Sequence, residues 1–171
     1  MKILIRSAQP TDAYDIRRIQ AEGWIDNNLS PVTGITQEYI AQVLKISLPP
    51  CADKINETQI LIEQSPDEYL IAEIDKNVVG WVVRHSYTEG VWAFGIYVDR
   101  LYRGKGIGTK LMAQFLSKYP DEKFKIIVSK SNTAGIRFYT GFGFQIRGEK
   151  KDHFNDDAVN HLPIVIMQNY D

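Results

Sequence analysis

Apolar positions along the chain change period partway through. The opening MKILIRS alternates, with Lys2, Leu4 and Arg6 on one face and Ile3 and Ile5 on the other, which predicts a strand over Met1–Ser7. Gln9-Pro10-Thr11-Asp12 reads as a helix start with Thr11 placed to cap it. Ile16, Ile19 and Trp24 then supply the apolar side of that helix, and residues 27–34 read as loop. A second helix is predicted from about Thr36, with Ile40, Val43, Leu44 and Ser47 at helical spacing and Pro49-Pro50 as its stop. Asp53–Gln64 is ambiguous by period and reads better as helix than as strand.

From Tyr69 onward the pattern becomes strand-like. Tyr69–Ile74 and Val78–Arg84 predict two strands joined by the turn-rich Asp75-Lys76-Asn77, and Val91–Val98 predicts a third after Thr88-Glu89-Gly90. A glycine-rich turn leads into an amphipathic helix with Leu111, Met112, Phe115 and Leu116 inward. Phe124–Val128 is nearly all apolar, as suits a strand covered on both faces. Asn132–Phe142 predicts a helix, and Phe144–Arg147 and Leu162–Gln168 predict closing strands. The order predicts one α/β domain over residues 1–171, with a mostly antiparallel sheet, a parallel step in its middle and about four flanking helices.

Composition narrows the classes without naming a function. The 171 residues are 44% apolar and 24% charged, ordinary for a globular chain that builds a real core. A net charge of −1 and no basic stripe argue against a nucleic-acid or anionic-lipid partner. One cysteine, Cys51, excludes an internal disulfide framework and a cysteine-based zinc site. Met1–Ser7 shows no signal-peptide core, and no stretch nears the ~18 apolar residues of a membrane span, so the expected location is the cytoplasm.

The chemistry-bearing segment is Val98-Asp99-Arg100-Leu101-Tyr102-Arg103-Gly104-Lys105-Gly106-Ile107-Gly108-Thr109, where a strand ends, glycines crowd a turn and a helix begins. The first N–H groups of a helix lack intrahelical partners, and the dipole makes that end positive. Glycines let the backbone approach a phosphate closely, and Arg103 or Lys105 can add charge-assisted bonds. The dinucleotide pattern G-x-G-x-x-G fails at Thr109, and the P-loop fails because Gly106 stands where its hydroxyl belongs. What fits is R-x-x-G-x-G at Arg103, Gly106 and Gly108. Downstream, Asn132-Thr133-Ala134-Gly135-Ile136-Arg137-Phe138-Tyr139-Thr140-Gly141-Phe142-Gly143-Phe144 fits N-x-x-[AG]-x-x-[FY]-Y-x-x-x-G-F.

These two motifs, one helix and one strand apart, resemble the GNAT acetyltransferases, and the likeness covers roughly residues 70–145. It implies a single N-acetyltransferase domain with a mixed, mostly antiparallel sheet of roughly six to seven strands. The central parallel pair would splay to hold acetyl-CoA as co-substrate, without a metal. It further implies that main-chain groups of Ile96, Tyr97 and Val98 hold the pantetheine arm. Amides from Arg103 through Gly104, Lys105, Gly106, Ile107 and Gly108 to Thr109 would bind the pyrophosphate, and the Asn132 side chain the pantetheine amides. Tyr139 would protonate the departing thiolate, and the Val98 N–H would face the oxyanion. Tyr139 also reads as a core aromatic beside Phe138, Phe142 and Phe144.

Many family members carry a carboxylate on the strand before the loop, and Val91–Val98 has none. The base is then a water relay or a residue from elsewhere, with Glu22, Asp26 and His85 as candidates that each read first as solvated surface groups. The acceptor side brings Glu22, Trp24, Asp26, Tyr39, Asp152, Asp156 and Asp157, which suit a cationic amine such as a polyamine. Amino acids, aminoglycosides and peptide N-termini stay open as acceptors. His153 and His161 are too far apart for one helix face and read as loop residues. A catalytically silent acyl-CoA sensor of the same fold is the alternative. Family practice makes a homodimer the expected assembly.

Overall fold

A computed structural model describes residues 2–29, 35–44, 46–150 and 163–171. Its elements run β1 (Leu4–Ser7), α1 (Ala13–Asn28), α2 (Gln37–Leu44), α3 (Ala52–Gln64), β2 (Tyr69–Ile74), β3 (Asn77–Thr88), β4 (Val91–Val98), α4 (Ile107–Lys118), β5 (Lys125–Ser129), α5 (Thr133–Thr140), β6 (Gln145–Lys150) and β7 (Ile164–Gln168). The strands form a four-stranded sheet in the order β1-β2-β3-β4 and a three-stranded sheet in the order β5-β7-β6. This is the expected mixed α/β plan, with one more helix than expected. The chain divides into two compact units, one of Met1–Gly23, Ile46–His85 and Phe94–Asp121, the other of Trp24–Lys45, Ser86–Ala93 and Glu122–Asp171.

The first unit is a sheet covered on both faces. β2 and β3 are joined by Asp75 and Lys76, whose φ values of 49° and 66° make a two-residue turn of the hand that matches strand twist. Asn77 is therefore the first residue of β3, paired with Ile74, rather than part of the link. One face takes α1 and α3, where Ile16, Ile19, Ile62, Ile71 and Trp81 form a buried cluster. Trp81 Nε1 donates to the Ile16 carbonyl at 3.0 Å, so the indole is satisfied where it is buried. On the other face α4 offers Ile107, Leu111, Met112 and Phe115, spaced four, one and three residues apart and all buried. Phe115 meets Phe94 of β4 at 5.1 Å between ring centroids. Full burial of such a side chain contributes about 1.5–3 kcal/mol.

Two expectations about caps are corrected. Thr11 does not cap the first helix. The chain makes a 3₁₀ turn over Pro10–Asp12, and the Asp12 carboxylate accepts the Gln9 N–H at 2.7 Å while gripping Arg6 with both oxygens at 2.7 and 2.9 Å. Asp12 wins because it satisfies an orphan helix-start donor and an arginine at once. Nor does Pro49-Pro50 end the second helix, which stops at Leu44. The diproline instead lies just ahead of α3, where a fixed φ is tolerated.

In the second unit, β7 sits between β5 and β6, antiparallel to both. The parallel step is a single bridge, Trp92 to Phe124, in which the Trp92 N–H donates to the Lys123 carbonyl at 2.8 Å. α5 follows β5 after Lys130-Ser131-Asn132, and Ser131 Oγ donates to the Asn27 carbonyl at 2.8 Å. Residues Asp152, His153, Asp156, Asp157 and His161 lie outside the described residues.

Candidate functional site

β4 is the last strand of its sheet, so half of its main-chain groups face away from a partner. Which half follows from two bonds. The Trp92 N–H points toward the Lys123 carbonyl, and the Asp99 N–H donates to the Val79 carbonyl of β3 at 2.9 Å. The two residues are an odd number apart, so they face opposite ways. Ile96 and Val98 share the Trp92 direction and present N–H and C=O to the outer edge. Tyr97 shares the Asp99 direction. Consistently, a Cβ built on Gly80 of β3 would stand 2.9 Å from the Tyr97 carbonyl. Of the three strand residues expected to hold the pantetheine arm, Tyr97 thus has its main chain turned to β3. Its ring packs on Trp81 at 4.9 Å and against α1, where a Cβ on Gly23 would fall 2.7 Å from Tyr97 Cδ1.

The turn that follows β4 is built by glycines in a region other residues avoid. Gly104 and Gly106 have φ of +74° and +78°, and a Cβ on either would meet nothing within 4 Å. Gly106 is the N-cap of α4 and makes no side-chain cap. The N–H groups of Ile107, Gly108 and Thr109 therefore begin the helix with no intrahelical partner. Arg103, Gly104, Lys105, Gly106 and Thr109 are exposed. The loop's cations fold back onto its own carbonyls: Arg103 Nε donates to Val98 O at 3.0 Å and Lys105 Nζ to Leu101 O at 2.9 Å. Residues 96–109 thus place a strand edge, two left-handed glycines and a positive helix end in succession.

Asp99, unremarked in the sequence, holds this turn. It is buried, its Oδ1 accepts the Leu101 N–H at 3.0 Å, and its Oδ2 accepts Arg18 Nη1 of α1 at 2.9 Å. Arg18 also reaches Glu22 at 3.3 Å and Asp15 at 3.2 Å. Burial alone would lower the Arg18 pKa, but the bonds to Asp99 and Asp15 outweigh it and hold the guanidinium above its ordinary range. Glu22, expected as a base or an acceptor-site group, is therefore committed to an ion pair. Asp26 is exposed, and Trp24 and Tyr39 are half-buried. His85 reaches solvent at the far part of β3, yet enclosure by protein lowers its imidazole pKa below 6.5 and favours the neutral form.

In the second unit, Asn132 and Tyr139 are seven positions apart and share one face of α5. Asn132 caps that helix, with Oδ1 accepting the Gly135 N–H at 2.8 Å. Gly135 makes room for it, since a Cβ there would lie 2.5 Å from Asn132 Nδ2. The cap fixes the rotamer so that the amide's Nδ2 has a set direction. Tyr139 stacks edge-on to Phe138 at 5.3 Å and to Phe144 at 6.1 Å. Burial pushes its phenol well above the ordinary value, so it keeps its proton across the physiological range. This placement puts Tyr139 among the aromatic side chains Phe138 and Phe144.

Similarity to known proteins extends over most of the chain. The family model described as the acetyltransferase (GNAT) family matches residues 35–144. A probable spermine N(1)-acetyltransferase of Bacillus subtilis subsp. natto is 32% identical over 73 residues, 40% of this chain and 47% of that protein. The match thus spans about half the length of that relative. The L-amino acid N-acetyltransferase AaaT of Escherichia coli is 25% identical over 160 residues, 89% of this chain and 88% of that one. Among solved structures, a phosphinothricin acetyltransferase of Sinorhizobium meliloti in complex with AcCoA has a TM-score of 0.73 at 18% identity, covering 98% of this chain and 88% of that one. Among the described residues, no helix is long and apolar enough to cross a membrane.

Proposed function

The chain belongs to the GNAT acetyltransferase family, and from that premise we propose that it moves an acetyl group from acetyl-CoA to a primary amine of a small molecule. The observation that carries this reading is the pair of left-handed glycines, Gly104 and Gly106, whose missing Cβ atoms leave open space at the start of α4. A diphosphate fits such a cradle of main-chain donors at a helix N-terminus. Ile96 and Val98, on the outer edge of β4, suit the amides of a pantetheine arm.

The coenzyme supplies an acetyl thioester, an acyl carbon with a good sulfur leaving group. The chain's own residues bind and move protons around it. The Val98 N–H would donate to the acyl oxygen, where negative charge would gather. Tyr139 would hold a proton on its Oη and supply it to the sulfur leaving group, while the amine nitrogen takes the acyl carbon in its place. A phenol held above its usual pKa is fully loaded at neutral pH. No carboxylate stands on β4, so the amine's proton leaves to water or to the neutral imidazole of His85.

The names of the similar proteins, a spermine and an L-amino acid acetyltransferase, support a small amine as acceptor. The test is thiol release from acetyl-CoA against spermidine, spermine, amino acids and short peptides. Turnover with at least one amine is expected. Tyr139→Phe should bind the coenzyme as before and lose about tenfold or more in kcat, the lower range for general acid help. Coenzyme binding without turnover on any amine would favour the silent sensor.

A further inference from the structure

We propose that Asp99, gripped by Arg18, is a positioning residue that sets the coenzyme loop, so that coenzyme affinity depends on a side chain of α1. This rests on the acetyl-CoA reading of residues 103–109. Every polar group of Asp99 is used. Its N–H donates to Val79 O at 2.9 Å, its carbonyl accepts Tyr102 N–H at 2.8 Å, and its two carboxylate oxygens take Leu101 N–H at 3.0 Å and Arg18 Nη1 at 2.9 Å. The turn after it is then tied to atoms that Asp99 has placed, since Arg103 Nε returns to Val98 O and Lys105 Nζ to Leu101 O. Arg18 is the one side chain in this set that comes from another element; the other outside link is the main-chain carbonyl of Val79 in β3. The carboxylate side chain is only 9% exposed, and Arg18 is 25% exposed, so water replaces the pair poorly. If the pair is broken, Leu101 and Tyr102 lose their fixed acceptor geometry, and the amides beyond them lose their common aim. Preorganised donors bind more tightly than donors ordered on binding, so the loss falls on coenzyme affinity.

The experiment compares Arg18→Gln, Asp99→Asn and the double variant with the unaltered protein. Calorimetry with coenzyme A reads affinity, steady-state kinetics read KM and kcat, and scanning reads Tm. Asp99→Asn keeps an oxygen for the Leu101 N–H and removes only the charge facing Arg18. Each single variant should weaken coenzyme binding about tenfold, with KM for the amine within about twofold. The double variant should be no weaker than either single one, because the two residues act as one unit. Asp15→Asn breaks another bond of the same guanidinium away from the loop and should leave coenzyme affinity within about twofold. Should Arg18→Gln fail to fold, Arg18→Lys, which keeps the charge and loses the planar fork, should show an intermediate loss of affinity.

A lowered Tm with unchanged coenzyme affinity, measured well below Tm, would make the pair merely structural and overturn the proposal. So would additive losses in the double variant, or an equal loss from Asp15→Asn. If the unaltered protein binds no coenzyme A, the functional reading falls first and takes this one with it. Tight binding by the unaltered protein and by both variants sinks the positioning role alone.

Discussion

Alanine at Gly106 and at Gly90 makes a matched pair of perturbations that separates backbone strain from ligand approach. Gly90 turns the β3–β4 hairpin at φ +70°, Gly106 caps α4 at φ +78°, and a Cβ on either meets nothing within 4 Å. Neither substitution creates a clash, so the cost to the empty protein is the left-handed conformation itself, about 1–2 kcal/mol for a residue with a Cβ. For a chain of this length each kcal/mol lowers Tm by roughly 2–4 °C, so both variants should melt about 2–8 °C lower and by similar amounts. Coenzyme binding should divide them. Only at Gly106 does the added methyl enter the space a phosphate is proposed to take, at the cost of at least one charge-assisted bond worth about 1.5–3 kcal/mol. Each 1.4 kcal/mol is tenfold in affinity, so Gly106→Ala should weaken coenzyme A binding by roughly tenfold to a hundredfold, while Gly90→Ala stays within about twofold. Calorimetric titration at a temperature where both are folded gives the ratio directly. Equal affinities in the two variants would refute the cradle, whatever their shared loss of stability.

Three further outcomes follow from the same structure. Gly135→Ala would put a Cβ 2.5 Å from Asn132 Nδ2 and displace the cap; losing a cap costs about 1 kcal/mol and gaining alanine in a helix returns a similar amount, so Tm should stay nearly level while coenzyme affinity falls. Asp12→Ala leaves Arg6 with Glu73 as its remaining ion partner and frees the Gln9 N–H; chemical denaturation should show a loss of about 1–2 kcal/mol, and no measurable loss would mean that water and Glu73 replace the bonds. The lowered pKa of His85 means that the unfolded chain binds its proton first as pH drops below about 6.5; stability should therefore be full above that pH and decline as pH falls below it, and His85→Asn should flatten that part of the Tm profile.

How much of this was legible in the sequence follows a physical rule. Alternation and helical spacing are local, and they placed the strands and helices to within a few residues, with β4 recovered at Val91–Val98. Glycine clustering is local too, so the run Gly104, Gly106 and Gly108 marks a turn at a helix start, while the left-handed φ of Gly104 and Gly106 is seen only in the fold. Caps were less readable, because Thr11 and Asp12 are both good candidates and the choice is made by Arg6 of β1. Asp99 was invisible as a positioning group. Its partner Arg18 stands 81 residues earlier, and nothing near either residue reveals the pairing.

The same rule explains why the binding half of the reaction is easier to read than the proton-transfer half. Main-chain donors are set by strand alternation and by the end of a helix, so the directions of the N–H groups in a stretch such as 96–109 can be read from one run of residues. Even there the alternation had to be phased by two long-range bonds, Trp92 to Lys123 and Asp99 to Val79, before Tyr97 could be told apart from Ile96 and Val98. A general base is a side chain whose pKa and reach depend on what folds around it. Glu22 shows the consequence: by sequence it is a free carboxylate at the end of a helix, and in the fold it shares Arg18 with Asp99 and Asp15. The identity of a base is therefore written in such long-range contacts and not in any local run of residues, whereas strand alternation and a helix start can be read in place.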